Sequence, residues 1–456
     1  MPGVLAVDVG TSAIKAVVWD AASGRPIAAR SVENDADVAG LPRECHEQDP
    51  LRILALCRET MRGAVTDPAV DAAAIAAIAI SGQMHGVLLV DRHLAPVTHL
   101  ITWRDRRTAE GELPTGGAKR TGCGIHPGYG GATLGWLAGR GRLSDGVTAL
   151  SMAGFVAAAL TGTAAMEPTH AASWGIMNLR AGTWDSERIA ALGLPIGVLP
   201  AIRPSSSPLA ALLPRYAGEL GLSAGIPVCS PIGDAQAAVL AAAGSADDAA
   251  VLNLGTGGQI SVMSREFAIA EGLETRPMPH GGYVLVGASL CGGWSYAYLE
   301  RFFRAVAREF TGHDPDDAEV YRRMNALAAE AGPGAGGLTV DPRFSGARGR
   351  ADLQGAIQGI NTANLTPGNL ARGFLEGIVG ELFDMAARIG PGSFSRVLLA
   401  GQLARRNPTV PEIVRSQFGV PCTLGPADED SACGAAFAVA QALALASADR
   451  PAEHRP

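Results

Sequence analysis

One pattern occurs twice in this chain. Residues 5–20 read LAVDVGTSAIKAVVWD, and residues 249–264 read AAVLNLGTGGQISVMS. Each is an apolar run, a Gly-Thr turn and a second apolar run, which is the signature of two strands joined by a tight turn. Val7-Asp8-Val9-Gly10-Thr11-Ser12 matches Leu252-Asn253-Leu254-Gly255-Thr256-Gly257 across 245 positions of a 456-residue chain. Similarity at about half the chain length predicts two related domains. Their boundary is expected near 224–232, dividing the chain into 1–229 and 230–456.

The first copy carries an oddity. Asp8 lies inside a run that otherwise suits a core strand, just before a glycine turn with Thr11, Ser12 and Lys15 nearby. A hairpin with an exposed polar turn is the plain explanation. The alternative is an anion-binding turn, because glycine lets backbone N–H groups approach an anion and hydroxyls add donors. Either copy alone is weak support for that chemistry. Two copies at matching places in two half-repeats are far more specific, since two such loops could hold the phosphates of one nucleotide from both sides. The chain has neither a GxxxxGK[ST] loop nor a GxGxxG placed after a strand, which counts against P-loop and Rossmann readings.

Composition narrows the class further. Apolar residues make up 47%, enough for large cores, while 18% charged residues and a net charge of −7 leave no nucleic-acid footprint. The seven cysteines are scattered without a CxxC pair, so a reduced, cytoplasmic setting is expected. The N-terminus enters a strand with no signal-like segment. The apolar run GAAFAVAQALALASA is short and Ala-rich, and reads as a buried helix rather than a membrane span. No HExxH, zinc-ligand spacing or GxSxG is present.

Strands and helices alternate, which predicts an α/β fold. Strands are expected at VLAVDV, IKAVVWD, PIAARSV, AAIAAIAISG and MHGVLLVD, with a helix from Leu51 to Val65. GATLGWLAG and SMAGFVAAALTG read as helices. In the second half, SRVLLAGQLARRN and VPCTLGPADEDSACGAAFAVAQAL read as strand, glycine loop, helix, strand and last helix.

Four further stretches carry candidate chemistry. In PIGDAQAA, Asp234 stands at a strand-to-helix turn, where it suits a helix N-cap and also a general base for a substrate hydroxyl. In SGQMHGVLLVD, Gln83, Met84 and His85 occupy a polar loop after a strand, with hydrogen-bonding groups of the sort a polyol needs. ITWRDRRT is either a solvated charged loop or a sugar-facing one, with Trp103 to stack on C–H faces and Asp105 and the arginines to bond hydroxyls. CHEQDP, with Glu47, Gln48 and Asp49, reads most simply as the cap of the helix from Leu51, and ADEDSACG at 427–434 as the cap of the last helix.

In order and spacing, DVGTSAIK, EQDP, SGQMHG, WRDRR, GDAQAA, LGTGG and AGQLARRN resemble the FGGY carbohydrate kinase family. The resemblance covers almost the whole chain. It implies two RNase H-like α/β domains, of the actin/Hsp70/hexokinase-like ATPase type, around a central cleft. The implied activity is ATP-dependent phosphorylation of a sugar or polyol. Asp234 is then the catalytic base, and Asp8 orients Mg2+ through water. Thr11, Ser12 and Lys15 approach the phosphates of ATP from the first domain, and Gly255 and Thr256 from the second. Gly293 joins the cofactor-binding set, with Gly401, Gln402 and Asn407 beside the adenosine. Met84 and His85 line the sugar site with Gln83 and Asp234, and Trp103 and Asp105 are further neighbours.

Within the family, LITWRDRR, GYGGATLGWL, HAASWGIMNL and VLVGASLCGGWSYAYL look most like the members that phosphorylate sedoheptulose. SGQMHG is shared with xylulose kinases, so another pentulose or polyol is the alternative substrate. Two positions depart from the family pattern: Ala347 stands where glutamate is usual, and Gly154 where aspartate is. The implied partners are a small-molecule sugar and ATP, with no nucleic acid and no membrane; a homodimer is compatible. A non-catalytic sugar sensor of the same fold is the rival from another class, and the joint presence of Asp8, both Gly-Thr turns and Asp234 weighs against it.

Overall fold

The protein is described from a computed structural model covering residues 3–111, 113–114, 121–244, 246, 248–347, 352–390, 392–425 and 431–448. The chain divides into two compact units. The first comprises Met1–Gly244, Arg276–Tyr283 and Asp428–Pro456, and the second Ser245–Thr275 and Val284–Ala427.

The first unit is built on a mixed sheet. Strands β1 (Gly3–Val9), β2 (Ala13–Asp20) and β3 (Arg25–Glu33) form an antiparallel meander. Helix α1 (Pro50–Val65) then leads into β4 (Ile75–Gly82), which pairs parallel to β1. Asp49 begins α1 by accepting the N–H groups of Leu51 and Arg52, and Pro50 follows at the first helical position, so the expected cap is present. The buried face of α1 presents Ile53, Leu56, Cys57 and Met61 to the sheet core. Helix α2 (Met152–Thr161) is capped by Ser151 and stopped at Gly162, which takes φ 77°. After the short α3 (Pro168–Ser173) come β5 (Pro208–Ala211), β6 (Pro227–Cys229) and β7 (Ile232–Gly233). The strand order is β5-β6-β4-β1-β2-β3, and β7 also pairs parallel to β4. β1 and β4 are almost wholly buried, as central parallel strands covered on both faces must be. Helix α4 (Asp234–Ala243) follows β7 without a break.

The second unit repeats the scheme. Strands β8 (Ala249–Leu254) and β9 (Gly258–Ser264) form the second hairpin. They share a six-stranded sheet with β10 (Glu274–Pro277), β11 (Tyr283–Ser289), β12 (Arg396–Ala400) and β13 (Cys422–Leu424), in the order β10-β11-β9-β8-β12-β13. Taking β8 as the counterpart of β1, the run β11-β9-β8-β12-β13 matches β3-β2-β1-β4-β6. Both sheets place the hairpin beside parallel strands, and the two expected RNase H-like α/β domains are present. Helices α5 (Gly293–Thr311) and α6 (Pro367–Ala387) belong to this unit, α6 lending Phe374, Leu375 and Ile378 to its core.

The compact units differ from a division at 229/230. Asp234 and α4 lie in the first unit, and so does the last helix, which begins at Ser431 and runs to Ala448. That helix packs on α4, β4 and β1. The contact is close because Gly434 has no side chain: a Cβ there would come within 1.8 Å of the Ala237 carbonyl oxygen. The cap expected from ADEDSACG falls on 428–430, outside the described residues. No helix among the described residues is long and apolar enough to cross a membrane, and none of the seven cysteines is in a disulfide.

Candidate active site

The register of the first sheet brings two carboxylates to one edge. Asp8 of β1 pairs with Ser81 of β4, and on the other side of β4 Ile232 pairs with Ser81 and Gly233 with Gly82. The three strands are parallel, so β1 and β7 deliver Asp8 and Asp234 toward the carboxyl ends of strands flanking β4. Ligands of open α/β sheets bind at such ends. Asp8 is half-buried and accepts a hydrogen bond from the Ser81 hydroxyl at 2.8 Å. Across the hairpin its register partner is Lys15. No group of three or more His, Cys, Asp or Glu with metal-holding geometry occurs among the described residues. A single hard carboxylate still suits Mg2+, which keeps most of its waters and takes few protein ligands.

Asp234 departs slightly from the expected cap. Gly233 is the N-cap, and Asp234 is the first residue of α4, its Oδ1 accepting the N–H of Ala235 at 2.8 Å. Burial pushes its pKa up to about 6, against the opposing pulls of that N–H and of Arg276. A carboxylate in this range is ionised at neutral pH and is still basic enough to accept a proton.

Thr11, Gln83 and Trp103 meet in one hydrogen-bonded circuit with Gln48. The Trp103 indole N–H donates to the Thr11 hydroxyl at 2.9 Å, and that hydroxyl donates to Gln83 Oε1 at 3.2 Å. Gln83 Nε2 donates to Gln48 Oε1 at 3.0 Å, and Gln48 Nε2 returns to the Thr11 carbonyl at 2.9 Å. Gln48 and Gln83 are buried, whereas Trp103 keeps 41% of its surface exposed. The Thr11 side chain therefore ties the first Gly-Thr turn to the strand end that carries Gln83. Ser12 beside it is exposed.

Met84 is buried and packs against Gly233. His85 takes φ 71°, a left-handed backbone that few non-glycine residues adopt. It is held there by its neighbours. Its N–H donates to the Ser173 hydroxyl at 3.0 Å, and Nδ1 lies 2.8 Å from the Ser173 carbonyl oxygen. A carbonyl only accepts, so Nδ1 carries a proton, and in the neutral ring Nε2 is an acceptor. Tyr129 stacks on the imidazole with centroids 4.2 Å apart.

Asp105 is placed differently from Trp103. It is buried, accepts the His46 N–H at 2.8 Å and grips the Arg107 guanidinium at 2.7 and 2.8 Å, while Arg107 also reaches Glu47 at 2.6 Å. Its carboxylate fastens the loop rather than standing open.

Beneath β7 lies a network with no sequence signal beyond a Glu-Pro helix start. Glu167 is fully buried. Its Oε2 accepts the Thr169 hydroxyl at 2.5 Å and N–H at 2.8 Å, and its Oε1 accepts the Ser205 hydroxyl. Thr169 Oγ1 in turn accepts the Gly233 N–H at 2.7 Å. Burial pushes Glu167 up to about 7 and the neighbouring His170 down to about 4. Gln48, Tyr129, Glu167 and Thr169 are the residues that the motifs did not single out as site members. Gln48 and Tyr129 had a visible hint, as parts of EQDP and GYGGATLGWL.

In the second unit, Gly255, Thr256, Gly293 and Gly401 come together. The Gly293 N–H donates to the Gly255 carbonyl at 2.8 Å, and the Trp294 N–H to the Thr256 carbonyl at 2.9 Å. The second turn thus stands on the N-terminus of the 19-residue α5, whose dipole favours negative charge nearby. Gly401 has φ 85°, and a Cβ there would lie 2.5 Å from the Leu254 carbonyl oxygen. Gln402 is exposed at the start of a five-residue helix. Asn407 is buried, donates to Asn325 Oδ1 at 2.8 Å and accepts the Thr409 N–H at 3.0 Å, so its side chain serves the local packing.

Comparison with known proteins places these elements. Residues 3–241 match the N-terminal domain, and residues 250–443 the C-terminal domain, of the FGGY family of carbohydrate kinases. The chain is 28% identical to the human sedoheptulokinase, over 96% of this chain and 97% of that protein. It is 29% identical to a glycerol kinase of Leptothrix cholodnii, over 96% and 90%. The solved xylulose kinase of Rhodospirillum rubrum superposes with a TM-score of 0.85 at 22% identity, over 98% of this chain and 91% of that one, and so shares the fold. The chain belongs to the FGGY family of carbohydrate kinases and is a sugar phosphotransferase.

Proposed function

We propose that this protein transfers the terminal phosphoryl group of ATP to a hydroxyl of a ketose, with sedoheptulose as substrate and sedoheptulose 7-phosphate as product. The observation that carries the chemistry is the pair Asp8 and Asp234 at the ends of the two parallel strands that flank β4, with Asp234 held at about 6. The substrate assignment leans on the likeness to the human sedoheptulokinase and on the stretches from LITWRDRR to VLVGASLCGGWSYAYL.

Asp234 accepts the proton of the attacking hydroxyl as its oxygen bonds to phosphorus and the bond to the ADP oxygen breaks. His85 Nε2 accepts a hydrogen bond from a sugar hydroxyl, and the exposed Trp103 ring covers a C–H face of the sugar. Asp8 would hold Mg2+ through water. When bound, that ion would neutralise charge on the phosphates. Gly255, Thr256, Ser12 and Lys15 orient the phosphate chain, and Gly401 and Gln402 border the adenosine.

Asp234→Asn is expected to lower sugar-dependent ADP release by a hundredfold or more, in keeping with general-base contributions of about 10²–10⁴, while ATP binding persists. Retained turnover would remove Asp234 from this role. The pH profile gives a second check. In the wild type kcat should fall about tenfold per unit below about pH 6, as Asp234 takes up its proton. Linkage runs the other way for stability. A carboxyl raised from 3.8 to about 6 binds more protons folded than unfolded in that window, so its contribution is lost as pH rises through it. Asp234→Asn should therefore melt no lower than wild type at neutral pH. A coupled ADP-release screen with sedoheptulose, xylulose, ribulose and glycerol decides the substrate, and a clear preference for any of the last three would replace the first.

A further inference from the structure

Helix α3 touches both sides of the proposed chemistry. At its N-terminal end Thr169 Oγ1 receives the Gly233 N–H, one residue before Asp234, at 2.7 Å. At its C-terminal end Ser173 holds His85 twice, through the hydroxyl at 3.0 Å and the carbonyl at 2.8 Å. The next residue, Trp174, donates its indole N–H to the Gly86 carbonyl at 3.1 Å. Six residues thus span from the strand that leads into the base to the loop that carries the sugar-side histidine.

The helix is fastened from below. Glu167 is its N-cap, accepting the N–H groups of Thr169 and His170, and it fixes the Thr169 hydroxyl proton as well. Because that proton points to Glu167, the Thr169 oxygen turns a lone pair to Gly233. The Ser173 hydroxyl is oriented in the same way: it donates to the His170 carbonyl at 2.7 Å and so offers a lone pair to His85. Ordinary capping requires neither outward bond. Both bonded side chains are buried, where a lost partner is costly.

We infer that α3 is a spacer that sets the distance between the sugar and its base, with Thr169 a positioning residue for Asp234 and Ser173 a positioning residue for His85. The inference rests on Asp234 being the base. Thr169 acts on the reacting geometry, where small misplacement is expensive in rate. Ser173 acts on a binding contact made equally before and during the reaction. The two ends of one short helix therefore separate into a rate effect and a binding effect.

The test is steady-state kinetics of the full chain with the preferred sugar. Thr169→Val should lower kcat about tenfold or more at a sugar KM within about twofold of wild type, and Thr169→Ser should restore it. Ser173→Ala should raise sugar KM severalfold with kcat within about twofold. If Thr169→Val does not fold, Thr169→Ala takes its place, with the same expectation. Parallel losses in kcat and KM from both ends, or wild-type kcat in the Thr169 variant, would overturn the inference. Asp234→Asn separates the two readings: if it still turns over, the base assignment fails; if it is inactive while the Thr169 variant is unimpaired, only the spacer fails.

Discussion

The two Gly-Thr turns share a sequence pattern and a place in the sheet, yet they are held by different means. The first has backbone bonds of its own, from the Gly10 N–H to the Ala13 carbonyl at 3.1 Å and from the Asn34 N–H to the Ser12 carbonyl at 3.0 Å, and side chains add to them. Asn34 donates to the Gly10 carbonyl at 2.9 Å, Gln48 to the Thr11 carbonyl at 2.9 Å, and the Thr11 hydroxyl bridges Trp103 and Gln83. The second is held by backbone. Its carbonyls accept N–H groups from the start of α5, and there is no room for a side chain at Gly292, where a Cβ would run into the Gly257 backbone, or at Gly257, where a Cβ would lie 2.8 Å from the Ser289 carbonyl oxygen. A repeated pattern therefore specifies a backbone path without specifying what the side chains on it do. Thr11 is committed to the scaffold, while Thr256, at the matching position, is exposed.

The sharpest way to break this contrast is at Gly292. A Cβ there would stand 2.2 Å from the Gly257 carbonyl carbon, and backbone cannot yield as a flexible side chain does. Gly292→Ala should cost about 3 kcal/mol or more, the upper end of overpacking, or prevent the second unit from folding, as chemical denaturation would read. Gly255→Ala is the companion. Its Cβ would meet nothing closer than 3.9 Å, so stability should change by about 0.5 kcal/mol or less. If Gly255 borders the phosphates, ATP KM should nevertheless rise severalfold. A destabilised Gly255→Ala, or a tolerated Gly292→Ala, would remove the claim that the second turn is built on close backbone approach.

Much of this was legible in the residues themselves, because strands bounded by glycine turns announce their ends. The runs around Asp8 and Asn253, the helix from the Asp49 cap and the strand-to-helix step at Asp234 follow from local rules of capping and periodicity. What stayed hidden depends on chain-distant partners. Thr11 meets Gln83 across 72 positions, and Thr169 meets Gly233 across 64; no local pattern marks either pair. The last helix illustrates another limit. Its sequence is apolar and Ala-rich on all sides, so no stripe indicates which unit it covers. Only the fit of Gly434 against Ala237 decides that. Motif position points to Asp105 and Asn407 as site members, and in the structure each side chain is bonded within the protein, Asp105 to Arg107 and Asn407 to Asn325.

The smaller effect is also the more discriminating one. Thr11→Val keeps the shape of the side chain and deletes its hydroxyl. Gln83 Oε1 is buried and loses its donor, whereas the exposed Trp103 can turn its N–H to water. One buried partner left unsatisfied and one exposed bond exchanged with solvent amount to about 1–2 kcal/mol. Thr256→Val should change stability by about 0.5 kcal/mol or less, because that hydroxyl makes no hydrogen bond among the described residues. Function should invert the order. If Thr256 reaches phosphate and Gln83 lies on the sugar side, the loss of the Thr256 hydroxyl raises ATP KM more than the loss of the Thr11 hydroxyl does, and the latter raises sugar KM through Gln83. Paired melting curves and separate KM values for ATP and sugar read both axes. Equal stability losses at the two threonines would mean that the turns are held alike, and a larger ATP effect at Thr11 would mean that its hydroxyl leaves the circuit when nucleotide binds.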